Sequence, residues 1–154
     1  MKRIICLGNR YVPDDAAGPL VYDRLVSSSL PPDLEVVDGG LGGLNLLHFL
    51  EDVERVVFVD RVSGFGRPQE TILLEGTEVA ALAEGSYDHA AGLPYLLRVM
   101  PKVCGNPAGQ VLVVGVEGRL EGQAADKIAS LALRLARYGR SGLESGEPRG
   151  GGGS

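Results

Sequence analysis

The chain has 154 residues, of which 44% are hydrophobic, and a formal net charge of −5 at pH 7. This length fits one domain and leaves no room for a second core of independent stability. The negative charge argues against a nucleic-acid-binding protein. Apolar runs such as Val56–Val59 are far shorter than the roughly 18 residues that cross a bilayer, and no signal-peptide pattern precedes Ile4. We therefore expect a soluble, cytoplasmic protein without a membrane or nucleic-acid partner.

Cysteine and glycine usage restricts the chain further. Cys6 and Cys104 cannot build a disulfide framework, and together with His48 and His89 they lack the spacing of a structural zinc site. The 23 glycines are about twice the usual share. Many of them lie in Gly139–Ser154, which we predict to be a disordered tail, with linker-like last residues, behind a domain formed by residues 1–138.

Residues 1–138 alternate between short β-branched runs and segments of helical period. The predicted strands are Arg3–Leu7, Leu34–Val37, Arg55–Val59, Glu70–Leu74 and Gln110–Gly115. The predicted helices carry apolar faces at Ala17/Val21/Leu25, Leu46/Phe49/Leu50/Val53, Leu93/Leu96/Leu97/Met100 and Ala124/Ala125/Ile128/Leu131/Ala132/Leu135.

This alternation predicts one three-layer α/β domain: a mostly parallel, twisted sheet of about five strands with helices on both faces. No convincing helix separates Asp60 from Glu70, so the strand that follows is expected to be an antiparallel edge. Ligands of such sheets bind beyond the carboxyl ends of the strands, where successive crossovers leave in opposite directions. Polar residues at those ends are therefore the candidate site residues.

The loop after the first strand contains Asp14 and Asp15 and matches no phosphate-binding glycine motif. Its two carboxylates would repel phosphate, so a cation is the more natural ligand. Alternatively, one aspartate caps the following helix, which would leave the other without a local role.

The third predicted strand runs directly into Asp60-Arg61. If the first strand lies between the second and the third, Asp60 lies across the crevice from Asp15. The alternative is that Asp60 is a turn or capping residue.

His89 precedes a helix that should begin near Gly92, because Pro94 is tolerated only in a first turn. At that position the helix dipole favours a neutral imidazole, the state that binds metal. The alternative for His89 is a surface or hydrogen-bonded histidine, and the favoured interpretation of His48 is a helix-surface or packing residue.

Two carboxylates and one imidazole would form an open oxygen and nitrogen site suited to a borderline divalent metal. The sequence offers no rival nucleophile. Cys6 lies inside a strand, Cys104 has no histidine nearby in sequence, and Ser27–Ser29 ends a helix without a nucleophile elbow.

At this point the chain resembles the hydrogenase maturation endopeptidases, nickel-dependent proteases that trim the large-subunit precursor of [NiFe] hydrogenase. The matching stretches, in family order, are Ile5–Asn9, Asp14–Gly18, Val36–Gly40, Gly43–Leu47, Val56–Asp60, His89–Leu93 and Val111–Glu117.

The resemblance implies that Asp15, Asp60 and His89 contact nickel and act in catalysis. It implies that the substrate brings the nickel and that the enzyme removes the C-terminal extension of the loaded precursor. We therefore expect the isolated protein to be largely metal-free. The glycine-rich loop Gly39–Gly43 could present backbone groups to the peptide, or it could be a plain turn.

Three residues depart from the family pattern. Many relatives have Glu at the position of Asp15. The aspartate side chain is one methylene shorter, so this ligand reaches less far. Arg61 follows Asp60 where a small residue is common, and it could hold Asp60 or contact the substrate's C-terminal segment. Asp88 could accept a hydrogen bond from the imidazole of His89 and orient it.

Two other functions stay open on the sequence alone. One is a non-catalytic assembly module that grips the nickel-loaded precursor without cutting it, for which the shortened Asp15 is an argument. The other is a small-molecule hydrolase on the same fold.

Overall fold

The computed structural model describes residues 1–62, 71–82 and 92–141. Within them the strands are β1 (Lys2–Leu7), β2 (Leu34–Gly40), β3 (Arg55–Val62), β4 (Thr71–Glu75) and β5 (Gln110–Glu117). The α-helices are α1 (Ala17–Val26), α2 (Gly76–Ala80), α3 (Leu93–Val103) and α4 (Gly122–Tyr138), and Pro13–Asp15 and Leu44–Leu50 are 3-10 helices.

The five strands form one sheet in the order β2-β1-β3-β5-β4. β1 pairs in parallel with β2 and β3, and β3 pairs in parallel with β5. β4 pairs antiparallel with β5 at the edge of the sheet. This arrangement confirms the predicted α/β class, the predicted position of the first strand between the second and the third, and the antiparallel edge strand.

Helices cover both faces of the sheet, as predicted. α1 and α4 pack on one face, against side chains that include Val57 and Val59. The 3-10 helix Leu44–Leu50 packs on the other face together with α2 and α3, against Phe58 and Val62. Successive β3 side chains thus alternate between the two layers, as the pleat of a strand requires.

Several element boundaries differ from the predicted ones. β3 continues to Val62 because β5 pairs with it residue by residue up to Glu117, so Asp60 and Arg61 lie inside the strand rather than after it. The segment predicted as a helix around Leu46–Val53 is a 3-10 helix that ends at Leu50. The short α2, which the sequence pattern did not predict, begins with reciprocal capping between Glu75 and Glu78.

The start of α3 agrees with its predicted position. Gly92 is the N-cap of α3, as the position of Pro94 predicted. α4 ends at Tyr138, the last residue of the predicted domain. Residues 142–154 of the predicted tail lie outside the described residues, whereas Gly139 and Arg140 contact the domain through Leu135 and Glu75.

Among the described residues, no helix is long and apolar enough to span a membrane.

Candidate active site

Asp15 ends the 3-10 turn that follows β1, and its side chain is only 10% exposed. The turn folds back over the end of β1, where the Asp15 carbonyl accepts a hydrogen bond from the amide of Asn9 at 2.9 Å. The chain approaches itself closely here: a Cβ on Gly18 would overlap the carbonyl oxygen of Leu7. Tight contact between α1 and β1 thus determines where Asp15 lies.

Neither aspartate of this loop caps α1 with its side chain, so that alternative is wrong. The N-cap residue is Ala16. Asp14 is exposed, and its Oδ1 accepts a hydrogen bond from Nε of Arg119 at 3.2 Å. Asp15 instead lies against Arg61, with 3.8 Å between Oδ1 and Nε.

Asp60 lies inside β3, opposite Gly115 of β5, and is 1% exposed. Its Oδ1 accepts a hydrogen bond from the backbone N–H of Arg61 at 2.8 Å. By the alternation along β3, Asp60 belongs to the layer of α3, whereas Arg61 belongs to the layer of α1. Arg61 therefore contacts both candidate carboxylates, Asp60 with its backbone and Asp15 with its guanidinium.

His89, the third predicted ligand, lies outside the described residues, and so does Asp88. Within the described parts of the chain, no three His, Cys, Asp or Glu side chains group together as a metal site. Gly92, the N-cap of α3, is three residues after His89 and is described. The connection from α3 to β5 reaches the amino edge of the sheet, where the Ala108 amide donates to the Leu50 carbonyl at 2.8 Å. α3 therefore begins toward the carboxyl edge, the same edge as Asp15 and Asp60.

Glu117 is a buried carboxylate that the sequence reasoning did not select as a site residue. It is the last residue of β5, pairs with Val62 and is 8% exposed. It shares the α3 layer with Asp60, because Asp60 pairs with Gly115, two residues before it. The signal was available: like Asp60, Glu117 is an acidic residue near the end of a buried apolar strand.

The glycine-rich segment Gly39–Gly43, which begins within the end of β2, lies beside the loop that follows β1. The Gly40 carbonyl accepts a hydrogen bond from the Gly8 amide at 2.7 Å. Together with Asn9, Arg10 and Asp38, these glycines line a pocket of about 330 Å³. Arg10 in this pocket pairs with Asp23 at 3.0 Å and with Asp38 at 3.7 Å.

A larger cleft lies at the opposite edge of the sheet. Its volume is about 720 Å³, and its lining is mostly apolar, including Gly76, Leu97 and Val111. The buried carboxylates are at the carboxyl edge and the cleft is at the amino edge, so we place the candidate site with the carboxylates.

The cysteines fit no catalytic role. Cys6 is fully buried in β1, and burial, with a smaller contribution from the negative charge of Asp38, raises the pKa of its thiol. The pKa of Cys104 is also raised by desolvation. A nucleophilic cysteine needs the opposite shift, toward thiolate.

The donor set of the site suits a cation. The two predicted carboxylate ligands that are described, Asp15 and Asp60, are buried at one edge of the sheet, and Asp15 lies beside a positive group, the guanidinium of Arg61. Carboxylate oxygen is an accepted ligand of divalent metals, and two such ligands with an imidazole would leave positions open for substrate.

Comparisons with known proteins give the family. A sequence model of the hydrogenase maturation protease family matches residues 20–128. The hydrogenase 2 maturation protease of Escherichia coli strain K12 is 28% identical over 116 residues, which cover 73% of this chain and 70% of that protein.

Solved structures share the fold. The hydrogenase maturating endopeptidase of E. coli has a TM-score of 0.72 and 24% identity, with 96% of this chain and 94% of that chain covered. The hydrogenase 2 maturation peptidase from a Thaumarchaeota archaeon has a TM-score of 0.53 and 29% identity, with 94% of this chain and 97% of that chain covered. With the family model spanning most of the domain, the chain belongs to the hydrogenase maturation protease family.

Proposed function

We propose that this protein is an endopeptidase that removes the C-terminal extension of a nickel-loaded [NiFe] hydrogenase large-subunit precursor. Processing of a hydrogenase precursor is the activity of the family, and the proposal extends to this chain the recognition of nickel that the family resemblance implies. The observation that supports it is the burial of Asp15 and Asp60, which are 7% and 1% exposed as whole residues, at the carboxyl edge of adjacent strands. Buried carboxylates are retained where a cation compensates their charge.

In this proposal Asp15, Asp60 and His89 bind the nickel that the precursor carries. The ion anchors the precursor so that the scissile peptide lies in the crevice. A Lewis-acidic ion can polarise the peptide carbonyl or activate water for its hydrolysis. An empty precursor lacks this anchor, so cleavage would report that nickel insertion is complete.

The nickel is expected to arrive with the precursor because the enzyme's own ligand set is small. Two carboxylates and one imidazole without a thiolate hold nickel weakly, since affinity at such sites comes from ligand number and preorganisation. The remaining coordination positions would be filled by the precursor.

Stripping each component separately tests the proposal. Enzyme and precursor are treated with chelator in separate reactions, and cleavage is followed as the shortening of the large subunit. We expect chelated enzyme to cut nickel-loaded precursor normally, and nickel-free precursor to stay intact. The reverse pattern would identify an ordinary metalloprotease that carries its own metal.

An Asp60→Asn variant completes the test, with Asp126→Asn as a matched control on the exposed surface of α4. Loss of cleavage in the first variant alone supports the assignment. A stable complex of wild-type protein and loaded precursor without cleavage would instead identify an assembly factor.

A further inference from the structure

The guanidinium of Arg61 lies beside the carboxylate of Asp15 on the neighbouring loop. Arg61 Nε is 3.8 Å from Asp15 Oδ1, and the two side chains are 24% and 10% exposed. The carboxylate of Asp60 accepts a hydrogen bond from the backbone N–H of Arg61. The side chain of Arg61 is therefore a counter-ion for the candidate ligand on the neighbouring loop.

β3 holds this side chain firmly in place. Residues Arg61 and Val62 still pair with Val116 and Glu117 of β5, so the strand does not fray before them. By the alternation along β3, the side chain of Arg61 lies on the face of the sheet that α1 covers. The turn that ends at Asp15 directly precedes α1 in the chain.

The Arg61–Asp15 pair is far less screened by solvent than the Arg119–Asp14 pair, whose aspartate lies on the same loop. Arg119 and Asp14 are 58% and 67% exposed, so water and salt screen their attraction. At the Arg61–Asp15 pair, partial burial lowers the effective dielectric, which strengthens both attraction to the carboxylate and repulsion of a second cation.

We propose that Arg61 is a positioning residue that occupies the metal-binding environment of Asp15 in the isolated enzyme and lowers its affinity for free divalent ions. This inference rests on the proposed metal role of Asp15. A metal ion at Asp15 must displace the guanidinium or bind beside its charge. Free nickel cannot offset that cost, whereas nickel held by the precursor arrives with further ligands and peptide contacts.

This role of Arg61 would let the enzyme distinguish nickel held by the precursor from free nickel in solution. A protease that had already taken up nickel from solution could not use the precursor's nickel as a signal. Arg61 thus keeps the site ready for a metal that comes only with substrate.

The test is the affinity of the isolated full chain for Ni²⁺, measured by isothermal titration calorimetry with nickel chloride. Arg61→Met removes the cation and keeps much of the apolar stem. We expect it to bind Ni²⁺ about tenfold more tightly than the wild type, the factor that corresponds to loss of a partly buried charge repulsion. Arg61→Lys keeps a cation and should stay near the wild-type affinity.

Arg119→Met is the matched control, because it removes an arginine from the neighbouring, exposed aspartate pair; its affinity should not change. Asp15→Asn combined with Arg61→Met should abolish the gain, since the gain acts through Asp15. If Arg61→Met does not fold by circular dichroism, Arg61→Gln replaces it. The glutamine side chain removes the positive charge, and its amide can still donate a hydrogen bond to Asp15.

Equal affinities of wild type, the neutral Arg61 variant and the Arg119 variant would overturn the inference, and so would micromolar Ni²⁺ binding by the wild type. Cleavage of nickel-loaded precursor by the wild type is measured alongside. If that cleavage occurs while the affinities are equal, only the role of Arg61 fails; if no cleavage occurs under any condition, the proposed function fails.

Discussion

Asp15 combines a buried position with a charge, and this combination sets its response to substitution. The carboxylate is 10% exposed and faces Arg61, so it is not a surface-loop residue whose replacement costs nothing. The fold around it is held by backbone contacts, including the hydrogen bond from Asn9 to its carbonyl. Replacing the carboxylate should therefore harm function more than folding.

We predict that Asp15→Asn folds, loses about 1–2 kcal/mol of unfolding free energy because Arg61 loses its counter-ion, and fails to process precursor. The measurements are urea unfolding and the precursor cleavage assay, and His89→Ala should show the same loss of cleavage. Asp14→Asn is the control, since its carboxylate is exposed and pairs with Arg119. Normal processing by Asp15→Asn would remove it from the site.

Gly18 is where α1 crosses the end of β1, and no larger residue fits there. A Cβ would overlap the Leu7 carbonyl oxygen, which belongs to backbone and cannot move aside cheaply. We predict that Gly18→Ala lowers the free energy of unfolding by about 2–3 kcal/mol despite the better helix propensity of alanine. Gly122→Ala in α4 is the control: its Cβ meets only the flexible end of Arg24 at 3.4 Å. Comparable unfolding curves for both variants would contradict this account of the contact.

At the scale of elements, α4 and the residues after it connect the C-terminus to the sheet. The Gly139 amide donates to the Leu135 carbonyl at 2.7 Å, and Arg140 pairs with Glu75 at 3.2 Å. Arg55 of β3 also donates to the Ala136 carbonyl at 2.8 Å. Residues 139–141 therefore contribute contacts, although the sequence pattern groups them with the glycine-rich tail.

Two truncations separate these residues from the remainder of the tail. Ending the chain after Ser141 should leave the melting temperature nearly unchanged, as expected for a tail with little apolar surface. Ending it after Tyr138 should lower the melting temperature by about 2–4 °C, because the helix cap and one ion pair are lost. Thermal unfolding followed by circular dichroism measures both. A large drop for the first truncation would show that residues 142–154 dock on the domain.

At the scale of the whole molecule, the site is assembled from segments that are far apart in sequence. The Asp15 loop follows β1, and Asp60 and Arg61 belong to β3. α3 begins toward the same edge of the sheet, and the edge strand β4 lies between β3 and α3 in the chain. In the proposed function, no one of these segments is complete as a metal site by itself, and the precursor would fill the open coordination positions.

We therefore predict that the protein purifies with well below one nickel ion per chain, as determined by inductively coupled plasma mass spectrometry without prior chelation. The physical reason is the small oxygen and nitrogen ligand set, together with the positive charge of Arg61. A sample without affinity tag is needed, since histidine tags bind nickel. Stoichiometric nickel in such a preparation would contradict a substrate-borne metal.

The sequence by itself determined the class of the fold, the order of its main elements and the residues worth testing. Apolar runs that alternate with helical segments indicate a sheet buried between two helical layers, which is a local consequence of the hydrophobic effect. The acidic residues in the loop after β1 and near the end of β3 are also visible in the chain. Only the tertiary structure decided the extra length of β3, the 3-10 form of Leu44–Leu50 and the burial of Glu117. It also decided that Arg61 faces Asp15 and that neither loop aspartate caps α1. These features depend on strand pairing and contacts between distant segments, whose energies no local pattern encodes.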